Sequence, residues 1–170
     1  MFKIITAILA CAFISLSHAD DRLDELMKRQ LPSIEKSAED GDTSSQFIVG
    51  ITYLNGSYGY PKDLAKAKEL LEKVAQTDTL DAVIAQYELG KMYYEGIGAE
   101  QDYAKAQKLL EKSSIGYRGI GSGEAQFLLA TMYEQGQSVP QDLKLAKKWY
   151  KAACDDGLRN GCEQYTKIKE

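Results

Sequence analysis

Small and apolar side chains return every fourth position in three stretches of this chain. They are Ser45, Val49 and Tyr53 in "SQFIVGITYLNG", Ala85, Leu89 and Tyr93 in "AQYELGKMYYEG", and Ala125, Leu129 and Tyr133 in "AQFLLATMYEQG". That spacing marks one face of a helix, whereas a half-buried strand would alternate. Each stretch closes on a glycine, Gly56, Gly96 or Gly136, at a period of 40 residues. Glycine reaches the left-handed conformation that ends helices.

A second block follows each of the first: "DLAKAKELLEKVA" from Asp63, "DYAKAQKLLEKSS" from Asp102 and "DLKLAKKWYKAAC" from Asp142. The leading aspartate is placed to cap exposed helix amides. Ala67, Ala106 and Ala146 then allow close helix approach, and Leu70/Leu71, Leu109/Leu110 and Trp149/Tyr150 supply the bulk to be buried. The predicted unit is a pair of antiparallel helices, and the predicted fold is an all-α stack of three such pairs.

Residues 20–44 read as an N-terminal capping helix or helices, bent at Pro32, and 45–84, 85–124 and 125–160 as the three repeats. Residues 161–170 read as a short C-terminal capping helix. "IEKSAEDGDTSSQF" resembles the close of a second-type helix and its turn, and "GCEQYTKIKE" opens a further first-type helix. Terminal elements with a polar outer face are what a stack of repeats needs to cover its end surfaces.

The middle copy, "AQYELGKMYYEGIGAEQDYAKAQKLL", resembles the Sel-one-like repeat (SLR) family, a relative of the tetratricopeptide repeat, with its pattern A-x-x-x-L-G-x-x-Y-x-x-G, a short loop, then D-x-x-K-A. The first copy departs at Ser45 and Val49 and carries an extra residue in "SYGYPKD". The third has Ala130 for the glycine and Leu145 for the lysine. The likeness runs from roughly residue 34 to the C-terminus. It implies a right-handed α/α solenoid with helical caps and a binding function directed at other proteins. It also implies that first-type helices line the concave face, where Ile48, Ile51, Asn55, Glu88, Lys91, Glu95, Leu128, Thr131 and Gln135 would point outward. Ile48, Ile51 and Leu128 are apolar where solvent favours polar residues, which fits either a partner groove or packing between repeats.

The first nineteen residues interrupt this pattern. Lys3 supplies a single charge, Ile4 to Leu16 is an apolar run, and "SHA" at Ser17 to Ala19 has the form of a cleavage site. The run is shorter than the 20 or so residues that span a bilayer. It reads as a secretory leader, with a lipid-attachment box ending at Cys11 as the alternative. A mature chain starting near Asp20 would lose His18, the only histidine, and with it the commonest general base and transition-metal ligand. Without Lys3 it carries 20 basic against 25 acidic residues, net −5, and nothing in that distribution attracts nucleic acid or anionic membrane. Neither a cofactor nor a metal is expected.

Cys154 and Cys162 remain, an even pair in an exported chain, for which one disulfide is the default. Their spacing and the "GC" dipeptide also resemble the cysteine-rich secreted branch of the SLR family, in which a disulfide staples adjacent antiparallel helices. Two buried free thiols are the alternative. That branch includes members described as penicillin binders or β-lactamases, and "SIEK", Ser33 to Lys36, matches an S-x-x-K nucleophile motif, but its S-D-N and K-T-G partners do not occur. Asp63, Asp102 and Asp142 sit one repeat apart and so act as caps, not as one acidic site. "DDGLRNG", Asp155 to Gly161, lacks the order of a calcium loop and reads as a turn.

Five tyrosines, Tyr53, Tyr87, Tyr93, Tyr133 and Tyr150, fall at recurring apolar positions and are assigned to the core. Tyr58, Tyr60, Tyr94, Tyr103 and Tyr117 fall off the pattern or in loops, where rigid aromatics anchor protein interfaces. The glycine-dense "SSIGYRGIGSGEAQ" has no feeding strand and neither phosphate-loop pattern, so it reads as an insertion between repeats with Tyr117 and Arg118 at its tip. Together these observations predict an exported, periplasmic or secreted, non-enzymatic module that binds another protein. An immunity protein neutralising a secreted toxin fits. So do an adaptor in envelope assembly or signalling and, from a different class, an enzyme on β-lactam or cell-wall substrates.

Overall fold

The computed structural model describes residues 22–115 and 122–168. The predicted leader, with Cys11 and His18, and the loop positions Tyr117 and Arg118 lie outside the described residues. Helix α1 occupies 22–39 and is helical on both sides of Pro32. It is followed by α2 (Thr43–Asn55), α3 (Leu64–Val74), α4 (Leu80–Glu95), α5 (Tyr103–Ser114), α6 (Ser122–Gln135), α7 (Leu143–Asp155) and α8 (Arg159–Lys167). The described residues form no strand.

Each pair is closed by the same local chemistry. The side chains of Asp63, Asp102 and Asp142 accept from the amides of Lys66, Lys105 and Leu145 at 3.0, 3.0 and 2.9 Å. Such a cap stabilises a helix start by about 1 kcal/mol. The amides of the same three aspartates donate to the carbonyls of Tyr53, Tyr93 and Tyr133, each at 2.9 Å, tying the end of one helix to the start of the next. Gly56, Gly96 and Gly136 end α2, α4 and α6 with φ of 68°, 69° and 68°. The extra residue of the first copy is absorbed in the α2–α3 loop, where Tyr58 and Gly59 both take positive φ, 55° and 81°.

Successive pairs are joined by a second recurring device. Gln46, Gln86 and Gln126 occupy the same place in the three first-type helices. Their side-chain amides donate to the carbonyls of Ala38, Ala75 and Ser114 at 3.1, 2.9 and 3.3 Å, at the end of the preceding helix. A buried carbonyl left without a donor would cost about 1–3 kcal/mol, so these glutamines fix how one pair sits on the next.

The core is a row of clusters along the stack. Val49, Tyr53, Ala67 and Leu70 pack with Ala38 of α1. Leu71 and Val74 pack with Ala85, Leu89 and Met92 across the first joint. Ala106 and Leu110 pack with Ala125, Leu129 and Met132 across the second, and Ala130, Ala146 and Tyr150 close the third pair. Each buried Leu or Met contributes about 1.5–3 kcal/mol. Leu109 and Trp149, expected in the buried bulk, are only half-buried, at the rims of the second and third clusters respectively. Tyr87, Tyr93 and Tyr133 are likewise half-buried, because the hydroxyls of the latter two reach polar partners across the joint.

At the C-terminal joint the sequence changes and so does the bond. Cys162 stands where Gln46, Gln86 and Gln126 stand, Cys154 stands where Ala75 and Ser114 stand, and the two cysteines form a disulfide. Gly161 makes this possible. A Cβ there would lie 2.8 Å from the Ala153 Cβ, 2.9 Å from the Cys154 nitrogen and 3.0 Å from the Tyr150 carbonyl oxygen, so α8 reaches α7 only with glycine at the crossing.

Candidate functional site

The predicted outward stripe is divided by the structure. Ile51 and Leu128 are half-buried and pack against the second and third core clusters. Thr131 donates to the Phe127 carbonyl at 3.0 Å and lies 3.1 Å from the Tyr150 hydroxyl, so it serves the interior of its own pair. Ile48 is half-buried on α2, and Gln135 is exposed at the end of α6.

The remaining members meet. Asn55 at the end of α2 faces Glu88, Lys91 and Glu95 of α4 across a groove of about 160 Å³. Leu54, Leu64 and Met92 form its apolar side, and Lys62 and Ile97 come in from the two loops. Ile97 is 47% exposed, an aliphatic side chain left to solvent beside charged groups. Burial pushes the Glu88 carboxyl above its ordinary value, the Lys91 charge opposes that rise and Glu95 adds to it. A half-buried carboxylate whose charge is disfavoured, in a groove with an opposite charge beside it, is the environment in which functional groups are found. Lys62 and Ile97 were not visible from helix periodicity, because each sits in a loop whose path depends on the pair it connects.

The off-pattern tyrosines separate in the same way. Tyr60 donates to Glu35 Oε2 at 2.9 Å, and its ring meets the Tyr53 ring edge-on at 5.6 Å, which anchors α1 rather than a partner. Tyr94 and Tyr103 meet edge-on at 5.6 Å beside the third core cluster, and burial raises the Tyr94 phenol. Tyr58 is half-buried in the α2–α3 loop. Ser33 and Lys36 are exposed on α1. Among the described residues, no helix is long and apolar enough to cross a membrane.

A succession of closed helix pairs, each capped by an aspartate and tied to its neighbour by a glutamine, defines an α-solenoid of helical repeats. The Sel1 repeat profile matches residues 43–76, 83–115 and 123–158, and the chain belongs to the Sel1 repeat family. It is similar to the Sel1-repeat-containing protein YjcO of Escherichia coli K12, 29% identical over 137 residues that cover 79% of this chain and 58% of the relative. The chain thus spans little more than half the length of that curated relative. A Sel1 repeat protein from Oxalobacter formigenes has a similar structure, with a TM-score of 0.65, 30% identity and coverage of 82% of this chain and 98% of that one. So does c5321, a protective antigen of uropathogenic Escherichia coli strains with an SLR fold, with a TM-score of 0.65, 30% identity and coverage of 77% and 26%. Sel1 repeats imply a protein–protein interaction module.

Proposed function

We propose that this chain is an exported, periplasmic module that holds another protein, with the groove between the ends of α2 and α4 at the centre of the contact. The observation that carries the reading is half-buried Glu88 in one groove with the charge of Lys91, beside exposed Ile97 and Asn55. A partner supplying a cation or amide donor to Glu88 and an apolar group to Ile97 would satisfy both at once. Polar groups with an apolar neighbour at the centre of a patch are the make-up of protein interfaces. Export is supported by the leader-like residues 1–19, by the Cys154–Cys162 disulfide and by the likeness to a protective antigen. Within this reading an immunity protein against a secreted toxin accounts for a small acidic binder, and an envelope adaptor is the second role.

The test is in two parts. Fractionation of cells producing a C-terminally tagged chain should place it in the periplasm, oxidised and shortened at its N-terminus; cytosolic retention with reduced cysteines overturns export. Crosslinking from the same compartment should give a stoichiometric partner with the wild-type chain and about tenfold less with Glu88→Ala/Lys91→Ala. An undiminished yield from the variant removes the groove from the contact. A captured toxin against which the chain protects cells marks immunity, and a captured envelope component marks an adaptor.

A further inference from the structure

The first residue of each second-type helix sets the third pair apart from the other two. In the first pair it is Leu64, and the loop after α4 lies directly on it: a Cβ on Gly98 would be 2.8 Å from the Leu64 Cβ. In the second pair it is Tyr103, whose hydroxyl accepts from Gln137 of the loop after α6, while Ser138 of that loop donates to Gln107. In the third pair it is Leu143. Among the described residues no following loop covers it, and it is 47% exposed at the mouth of a groove of about 740 Å³ between α7 and α8. Leu143, Tyr165 and Ile168 supply the apolar lining of that groove, and lysines supply the rest.

The charge there is confined to one helix face and contradicts the repeat. Lys144, Lys147, Lys148 and Lys151 of α7 correspond to Ala65, Lys68, Glu69 and Glu72 of α3 and to Ala104, Gln107, Lys108 and Glu111 of α5. Four positions that sum to −1 and 0 in the inner repeats sum to +4 in the last, on a chain whose formal net charge is −4. Lys147 lies over the Tyr165 ring at 5.7 Å, and Lys151 is paired with Asp155 at 2.6 Å. Lys144, Lys148 and Lys151 follow one another at helical spacing over about 10 Å of α7.

We propose that this groove docks an acidic amphipathic helix of a partner protein, with an apolar side chain against Leu143, Tyr165 and Ile168 and carboxylates one turn apart reaching Lys144 and Lys148. This rests on the reading of the chain as a protein-binding module, but uses a surface separate from the Glu88 groove. The concave apolar lining suits an inserted side chain, and a short basic row on an otherwise acidic molecule suits a short acidic element better than the extended charge of a bilayer or nucleic acid.

The probe is a fluorescent helical peptide of about 15 residues with glutamates at i, i+4 and i+7 and a leucine on the same face, titrated against the full chain. Saturable binding is expected, weakened about tenfold by Lys144→Glu/Lys148→Glu, by Leu143→Asp and by replacing the peptide glutamates with glutamine, and unchanged by Lys73→Glu on α3. Circular dichroism melts confirm that each variant folds. Peptide binding that is absent, or that is insensitive to the α7 variants, overturns the proposal. So does stronger binding of the wild-type chain to phosphatidylserine vesicles or to an oligonucleotide than to the peptide. Partner capture by the wild-type chain together with no peptide binding to the wild-type chain leaves the module reading standing and sinks this groove alone. Loss of capture by the wild-type chain sinks the module reading itself.

Discussion

Cys162 is bonded to Cys154 at the position where Gln126, one repeat earlier, donates to the carbonyl of Ser114. The chain therefore uses the same joint four times, three times with an amide hydrogen bond and once covalently. The covalent version falls on the shortest first-type helix, α8, whose start at Leu158 has no side-chain cap.

Breaking that bond should loosen α8 selectively. For a closed loop of this size, with a sequence separation of 8, the chain-entropy model gives about 2.5 kcal/mol. Cys154→Ala/Cys162→Ala should lower stability by that order in urea unfolding and raise amide exchange in α8 before the rest of the stack. Cys154→Ala/Cys162→Gln rebuilds the inner-repeat version of the joint and should recover about 1 kcal/mol. Equal stability of the two double variants would show that the joint is not a true equivalent of the other three.

Glu35 anchors α1 through Tyr53 and Tyr60, whose hydroxyls donate to it at 2.8 and 2.9 Å, with Lys66 at 3.5 Å. Burial pushes its carboxyl up, but the two hydroxyls and the lysine together outweigh burial and hold it below the ordinary value of 4.5. A carboxyl depressed in the fold stabilises it fully above the unfolded value and loses that contribution as pH falls through the folded one. Glu35→Gln should cost about 1–2 kcal/mol at pH 7, and the gap from wild type should close as the pH is taken below 4.5. A gap that stays constant with pH would mean the carboxylate charge is not what the tyrosines hold.

Gly161→Ala should destabilise more than an ordinary helix substitution, because its Cβ would meet the α7 backbone at Cys154 and Tyr150 and not a movable side chain. Overpacking of this kind costs about 1–3 kcal/mol, against a gain in helix propensity of about 1. Thermal melts should show a net loss, and an increase in Tm would refute the close crossing.

Glu88 predicts a change of opposite sign. Its carboxyl is raised in the fold, so the charged form is penalised above the unfolded value, and neutralising it should stabilise. Glu88→Gln should gain up to about 0.5 kcal/mol at pH 7, with the gain disappearing below pH 4.5, while weakening partner capture. A variant that loses stability at pH 7 would contradict the burial of this carboxyl.

What was legible in the sequence was local. The four-residue period, the aspartates and the glycines each act within one helix or its adjoining turn, and Asp63, Asp102 and Asp142 cap as their spacing predicted. The candidate stripe was legible only as a set of positions. Whether Ile51 faces a partner or the neighbouring pair depends on how far one pair is rotated on the next, and Ile51 and Leu128 turn inward against neighbouring helices while Asn55, Glu88, Lys91 and Glu95 converge. Tyr60 looked like a loop aromatic because its partner, Glu35, is 25 residues away in the chain.

The sequence by itself determined the helices, their pairing and their repetition, since period, caps and short connections are properties of a few neighbouring residues. Only the tertiary structure decided which side chains each joint consumes. Gln126 read as an amide with no stated partner, and only the stacked pairs bring it to the Ser114 carbonyl; the Cys154–Cys162 pairing was legible in the sequence, but that it replaces this glutamine joint was not. Likewise, only the stacked pairs show that a following loop lies on Leu64 and Tyr103, whereas among the described residues none lies on Leu143. Such choices depend on distances between segments far apart in the chain, and those distances are fixed by the packing of whole helices rather than by the residues that meet.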